Sequence, residues 1–260
     1  MPEPSLSMTY IGGPTVLIEI AGMRLLTDPT FDDAGGTYVQ GSTLHKLTGP
    51  ALPASALGRI DAVLLSHHQH ADNLDTAGEA VLKKAARVVT TVEGADALGA
   101  TLGGNAFGLA PWQIAEIEGP HSRTLRITAT PARHGPPERA SLAVTGFLLD
   151  IFDGIYISGD TVLYEGVQEV VERLHPRIAV LHLGAARVEA AGQLTDPLTM
   201  TAEEAVAFAR MASRTRIVPI HYEGWAHFTE GRDVIEQSFA AAGMSDRLIW
   251  LKAGEPVAID

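Results

Sequence analysis

The chain has 260 residues, 46% of them hydrophobic and 19% charged, which is the balance of a globular protein and not of a disordered one. A formal net charge of −12 argues against a broad phosphate-backbone footprint, so nucleic acid is not an expected partner. The absence of cysteine excludes disulfides, thiolate metal sites and cysteine nucleophiles.

The first 30 residues read as β meander. Residues 15–20 and 23–27 are rich in β-formers, with Ala21-Gly22 as a hairpin turn and Asp28-Pro29 as a stop. Residues 32–58, rich in Gly, Thr and Pro, predict a long surface loop. A strand over 61–66 runs into a His-rich segment. Thr76 and Glu79 have the spacing of a capping box for the helix that follows. A strand over 87–91 and a short helix over 93–101 come next, then three or four strands within 113–130 and 142–158. Helix 162–174, strand 178–182, helix 201–213, strand 216–220 and helix 231–242 alternate, and 248–251 reads as a last strand. No fixed-period repeat or low-complexity linker interrupts this order, which suits two sheets with helices outside them. The expectation is one α/β domain over 1–260. No apolar run approaches the ~18 residues that cross a bilayer. Met1-Pro2-Glu3-Pro4-Ser5-Leu6-Ser7 lacks the basic and apolar regions of a secretory signal, so a cytoplasmic protein is expected.

The chemistry concentrates at the ends of apolar runs. Ala62-Val63-Leu64-Leu65 is followed by Ser66-His67-His68-Gln69-His70-Ala71-Asp72-Asn73-Leu74-Asp75, three imidazoles and two carboxylates within ten residues. Neutral imidazole and carboxylate are ordinary ligands of zinc and its neighbours. His134, Asp160, His182 and His221 likewise each follow an apolar run, and strand ends of α/β sheets are where ligand-binding loops converge. Taken singly, each has a plainer role. Asp72, Asn73 or Asp75 can satisfy amides ahead of a helix, and Asp160 can serve as a turn or helix cap. His134 or His221 can be an ordinary imidazole. The repetition favours a site. His175, before Pro176, reads as a helix-dipole partner; His45 and His121 carry no functional reading.

The ordered set Thr27-Asp28-Pro29, Ser66-His67 with His70-Ala71-Asp72, Pro131-Ala132-Arg133-His134, Ser158-Gly159-Asp160-Thr161 and Pro219-Ile220-His221 resembles the metallo-β-lactamase fold superfamily. Within it, the metal-dependent hydrolase branch that includes ascorbate-6-phosphate lactonase and N-acyl phosphatidylethanolamine phospholipase D is the most similar. The resemblance covers roughly residues 8 to 255 and implies a four-layer αββα sandwich with metals at one edge. The family motif His-x-His-x-Asp-His is altered twice: one extra residue separates His67 from His70, and Asn73 stands where the last histidine is usual. In an extended segment His68, His70 and Asp72 share a face, which favours His68 as a ligand. In a coiled one, His67 and His70 are neighbours, which keeps His67 as the alternative.

Carried over, the resemblance implies a first metal on His67 or His68, His70 and His134. It implies a second on Asp72 and His221, with Asp160 bridging. Asn73 is a poor ligand beside histidine, so His182 or His227 can reach in. One or two Zn²⁺ ions are expected, with Mn²⁺ or Fe²⁺ as alternatives. A divalent ion lowers the pKa of bound water toward ~7, giving a hydroxide for attack, with Asp72 orienting it or receiving its proton. The substrate expected is a small lactone or ester-like molecule, phosphorylated or not. A phospholipid-like or nucleotide phosphodiester is the alternative, and a non-catalytic binding member the third reading. Trp225, His227, His182 and Arg187 are the candidate substrate contacts, with Arg133 a further anion-gripping candidate. A homo-oligomer is compatible with the sequence.

Overall fold

The structure, a computed structural model, describes residues 5–120, 124–139, 142–190 and 192–259; His121 lies outside the described residues. Strands β1 (Leu6–Gly12), β2 (Thr15–Ile20) and β3 (Met23–Thr27) form an antiparallel meander. Its tight turn uses Ala21 and Gly22, both at positive φ, which matches the twist of the flanking strands. β6 (Ala62–Leu64) then joins β3 in parallel, and β7 (Val88–Thr91) and β8 (Ala106–Leu109) extend the sheet. Between β3 and β6 lies a separate hairpin, β4 (Thr37–Gln40) and β5 (Ser42–His45). The expected 32–58 loop is therefore partly structured. Four-residue strands joined through Gly41 are too short to show a clear alternation, and that is why the pattern was not legible.

The second sheet contains β9 (Ile114–Glu118), β10 (Thr124–Pro131), β11 (Thr145–Leu149), β12 (Ile155–Ile157), β13 (Ile178–His182) and β16 (Arg216–Ile220), in the order β16-β13-β12-β11-β10-β9. β12, β13 and β16 run parallel, so their C-terminal ends open at the same edge. A small hairpin, β14 (Glu189–Ala190) and β15 (Gln193–Leu194), follows β13. The expected strand over 248–251 is reduced to a bridge between Leu248 and Ile217. The chain leaves β16 there to reach the other sheet, where β17 (Pro256–Ala258) pairs with β1.

Met8, Ile18 and Leu64 of the first sheet meet Ile127, Phe147 and Val180 of the second, which forms the central core. Helices α1 (Thr76–Leu82) and α2 (Val92–Leu102) cover the outer face of the first sheet through Val81, Leu82 and Leu102. Helices α3 (Glu165–Leu174), α4 (Ala202–Met211) and α5 (Arg232–Ala241) cover the second through Val167, Phe208 and Phe239. The result is the expected αββα sandwich. α1 is capped differently from the sequence reading: the Asp75 carboxylate, not Thr76, accepts from Gly78 N at 2.8 Å. Among the described residues no helix is long and apolar enough to cross a membrane.

Candidate metal centre

The His-rich segment begins where β6 ends, and it coils immediately. Asn73 N and Leu74 N both donate to His70 O, at 3.1 and 2.9 Å, which is a helical turn. In that geometry residues three apart are neighbours. The His67 and His70 rings accordingly lie 4.9 Å apart, and His134, from the loop after β10, packs 5.3 and 5.1 Å from them. His67, His70 and His134 thus present three nitrogens to one point. His68 does not join them. The preference for His68 assumed an extended segment; with the chain coiled, its side chain lies half-buried on the side of Glu93, and burial lowers its pKa.

A second group forms from the parallel strand ends. Asp160 follows β12 through Gly159, at φ +59, where a Cβ would meet Thr145 O at 2.5 Å and Ser66 at 2.9 Å. Only glycine lets the two sheets approach this closely. His182 ends β13, and its Nδ1 lies 2.8 Å from Asp160 Oδ1. His221 follows β16 in a left-handed conformation (φ 57), a strain typical of functional positions. Its Nδ1 is 3.4 Å from Asp160 Oδ1 and its Nε2 3.4 Å from Asp72 Oδ2. Asp160, His182 and His221 converge as a second triad. His227 Nε2 reaches Asp72 Oδ2 at 3.0 Å.

The donor set fits a divalent cation. Asp28 Oδ2, Asp72 Oδ1, Asp160 Oδ2, His182 Nε2, both ring nitrogens of His221 and His227 Nδ1 are buried without a hydrogen-bond partner. Each such orphan costs about 1–3 kcal/mol in a dry site, so their concentration needs a compensating ligand. Ligand atoms ~2.1 Å from a tetrahedral zinc stand about 3.4 Å apart, the spacing His221 Nδ1 keeps from Asp160 Oδ1 and, on the other side of the ring, His221 Nε2 keeps from Asp72 Oδ2; a given cation uses one of these nitrogens.

The electrostatics agree. Burial alone would raise the Asp72 pKa, but His227 and His221 hold it well below the usual range. Asp160 is likewise lowered against its own burial, by His221 and His182. Burial, reinforced by His70, pushes His67 down, and burial lowers His134 too, so both rings are kept neutral and able to ligate. His134 Nδ1 also lies 2.9 Å from Leu198 O, which fixes that nitrogen as the donor and leaves Nε2 free. Asp28 moves the other way, raised by burial and by the neighbouring Asp160 charge.

A cavity of about 460 Å³ opens over His70, Asp72, His134 and His227. Leu44, Leu142, Val188, Ala190 and Leu198 give it an apolar wall, and Glu138 and Glu189 line it as well. Of the expected substrate contacts, His227 lines it. His182 is instead wholly buried in the second triad. Trp225 lies beneath the β4–β5 hairpin, packed with Leu44, Ala71 and Tyr38, and is not part of the wall. Arg187 lines an adjoining hollow, with its guanidinium donating to Thr195 O at 2.8 Å. Arg133 stacks over Tyr164 and does not line the cavity. Asp28 was missed, although it too follows an apolar run, Leu25-Leu26-Thr27. Gln40 to Leu44 of the hairpin gave no sequence signal as a wall.

A family model described as a beta-lactamase superfamily domain matches residues 23–222. The UPF0173 protein YddR of Bacillus subtilis is 24% identical over 96% of this chain and 98% of its own. A UPF0173 metal-dependent hydrolase of an Exiguobacterium species is 27% identical over 84% of this chain and 86% of its own. Among solved structures, an isothiocyanate hydrolase from Delia radicum gut bacteria superposes with a TM-score of 0.80 at 25% identity, covering 98% of this chain and 99% of the other.

Proposed function

Because the chain belongs to the beta-lactamase superfamily domain family, we propose that it is a metal-dependent hydrolase acting on a small, uncharged lactone or ester-like substrate. The observation that carries this reading is the pair of convergent triads, His67–His70–His134 and Asp160–His182–His221, beside Asp72 and beneath a cavity of about 460 Å³. His67, His70 and His134 are the residues to hold a first cation, with Asp72, Asp160 and His221 holding a second. When bound, such cations supply a lowered pKa for water and polarise the carbonyl under attack.

The protein's own groups do the rest. Asp72 Oδ2 is anchored by His227 Nε2 at 3.0 Å, leaving the unpartnered Oδ1 to accept the proton of the attacking water. His134, held by Leu198 O, orients one edge of the site, and His227 borders the substrate space. Among the described residues no lysine or arginine lines the cavity, which favours an uncharged substrate over one with a phosphate or carboxylate tail. Leu44, Val188 and Leu198 suit an apolar group instead. The similar isothiocyanate hydrolase supports an uncharged electrophile as the substrate type.

The test is metal analysis followed by a substrate panel. Protein purified without added metal should carry zinc, manganese or iron, and should turn over γ-lactones, p-nitrophenyl esters or allyl isothiocyanate faster than bis(p-nitrophenyl) phosphate. Failure to bind added Zn²⁺ or Mn²⁺ refutes the metal reading. A preference for the phosphodiester refutes the substrate class.

A further inference from the structure

We infer that His182 supplies the ligand that residue 73 gives in the family motif, so that the second cation is held by Asp160, His182 and His221 with Asp72 beside them. The inference rests on the metal-dependent reading above and names which side chains complete its second site.

Asn73 is fully buried; its Oδ1 has no partner, and its Nδ2 is turned to Ser66. Its Nδ2 donates to Ser66 Oγ at 3.4 Å, and Ser66 Oγ in turn meets His67 Nδ1 at 3.0 Å. The amide therefore belongs to a chain that orients a first-site histidine, the kind of outer support that ligating imidazoles require. His182 converges with Asp160 and His221 instead. It is wholly buried at the end of β13, with its backbone N–H fixed by Ser158 Oγ at 2.9 Å, and its ring lies 5.3 Å from that of His221. Gly184, at φ +91, permits this approach, since a Cβ there would meet His221 O at 2.6 Å.

The hydrogen-bond count argues for more than a structural role. His182 stands between two buried carboxylates: Nδ1 is 2.8 Å from Asp160 Oδ1, and Nε2 is 3.7 Å from Asp28 Oδ2. A neutral imidazole has one N–H and satisfies only one of them. The other nitrogen then presents a lone pair in the company of carboxylate oxygens, and both His182 Nε2 and Asp28 Oδ2 are without partners. An imidazole that donates one nitrogen to a carboxylate and offers the other to a cation is the recurrent arrangement at metal sites. Here it accounts for the unpartnered His182 Nε2.

The test is stoichiometric and does not depend on turnover. Metal-stripped wild type, His182→Asn and His182→Gln are titrated with Co²⁺, followed by visible absorption, and with Zn²⁺, followed by elemental analysis after dialysis. Wild type should take up two equivalents. Each variant should keep one and bind the second at least about 10- to 100-fold more weakly. Two equivalents at wild-type affinity in either folded variant overturns the inference, so that one of the two folding is enough to decide it. A single equivalent in wild type, unchanged by His182→Asn, also overturns it while leaving metal dependence standing. No uptake by wild type removes the underlying reading itself.

Discussion

Replacing Lys46 by methionine tests whether the pocket wall is fastened to the sandwich by one buried ion pair. Lys46 follows the β4–β5 hairpin and is 4% exposed; Asp75, which caps α1, is 2% exposed. Their Nζ–Oδ2 distance is 2.7 Å, and the carboxylate also accepts from Phe31 N, Asp32 N and Gly78 N at 2.8, 2.7 and 2.8 Å. Lys46→Met keeps most of the stem volume but leaves Asp75 as a buried charge without a counterion. Removing one partner of a buried pair costs about 3–5 kcal/mol. The three remaining N–H donors place the expectation at the lower end, about 3 kcal/mol. With a urea slope of about 3 kcal/mol per M, the unfolding midpoint should fall by about 1 M. Because Gln40, Gly41, Ser42 and Leu44 of the hairpin line the cavity, KM should rise as well. Equilibrium urea unfolding at matched metal content makes the measurement. A midpoint shift below about 0.3 M would mean that the pair behaves like an exposed one, and the argument for a fastened wall would fail.

Other consequences of the site are equally direct. His68→Ala should retain wild-type metal content and activity within about twofold, whereas His67→Ala should lose a metal equivalent; the reverse pattern in elemental analysis would restore the extended reading of the segment. Asp72→Asn should lower kcat by about 10²–10⁴-fold, the usual contribution of a positioned proton acceptor, and unchanged turnover in the metal-loaded variant would remove Asp72 from the mechanism. Acid should destabilise the metal-stripped protein. His67 and His134 are depressed by burial in the folded state, so below the unfolded histidine value of about 6.5 the unfolded chain binds more protons and stability falls with pH. Asp72 and Asp160, held low by their imidazole neighbours, add to the loss as the pH drops further, through the unfolded aspartate value of about 3.9. Asp28, whose folded value is raised, opposes them, so Asp28→Asn should steepen the acid loss while raising stability near pH 7. Thermal unfolding between pH 7.5 and 5.5 measures the slope, and a rise in stability on acidification would contradict the assignment.

Much of this architecture was legible because burial writes periodicity into the chain. The β-rich strands of the meander and the buried parallel runs at 178–182 and 216–220 appear in the structure where the sequence places them. The rule that a polar residue directly after an apolar run marks a strand end also picked out His134, Asp160, His182 and His221. It failed at Asp28, where Pro29 offered a sufficient local explanation, and at His68, where the face of the side chain depended on whether the backbone continued or coiled.

Asp72 and Asp75 show where local reading stops. They are the same residue type, three positions apart, both buried in the same turn. Before the fold is known, each is equally a helix cap or a site residue. Asp75 became a cap because Phe31 N, Gly78 N and Lys46 Nζ surround it with hydrogen-bond donors. Asp72 became a site residue because His227, 155 positions onward, anchors Oδ2 and leaves Oδ1 without a partner, with His221 Nε2 3.4 Å from Oδ2. The difference between the two lies in segments that only the folded sheets bring together. A carboxylate whose donors are all supplied by the fold is structural, and one left short beside buried imidazoles is available for a cation and a proton. By that criterion Asp28 stands with Asp72, and Asp75 does not.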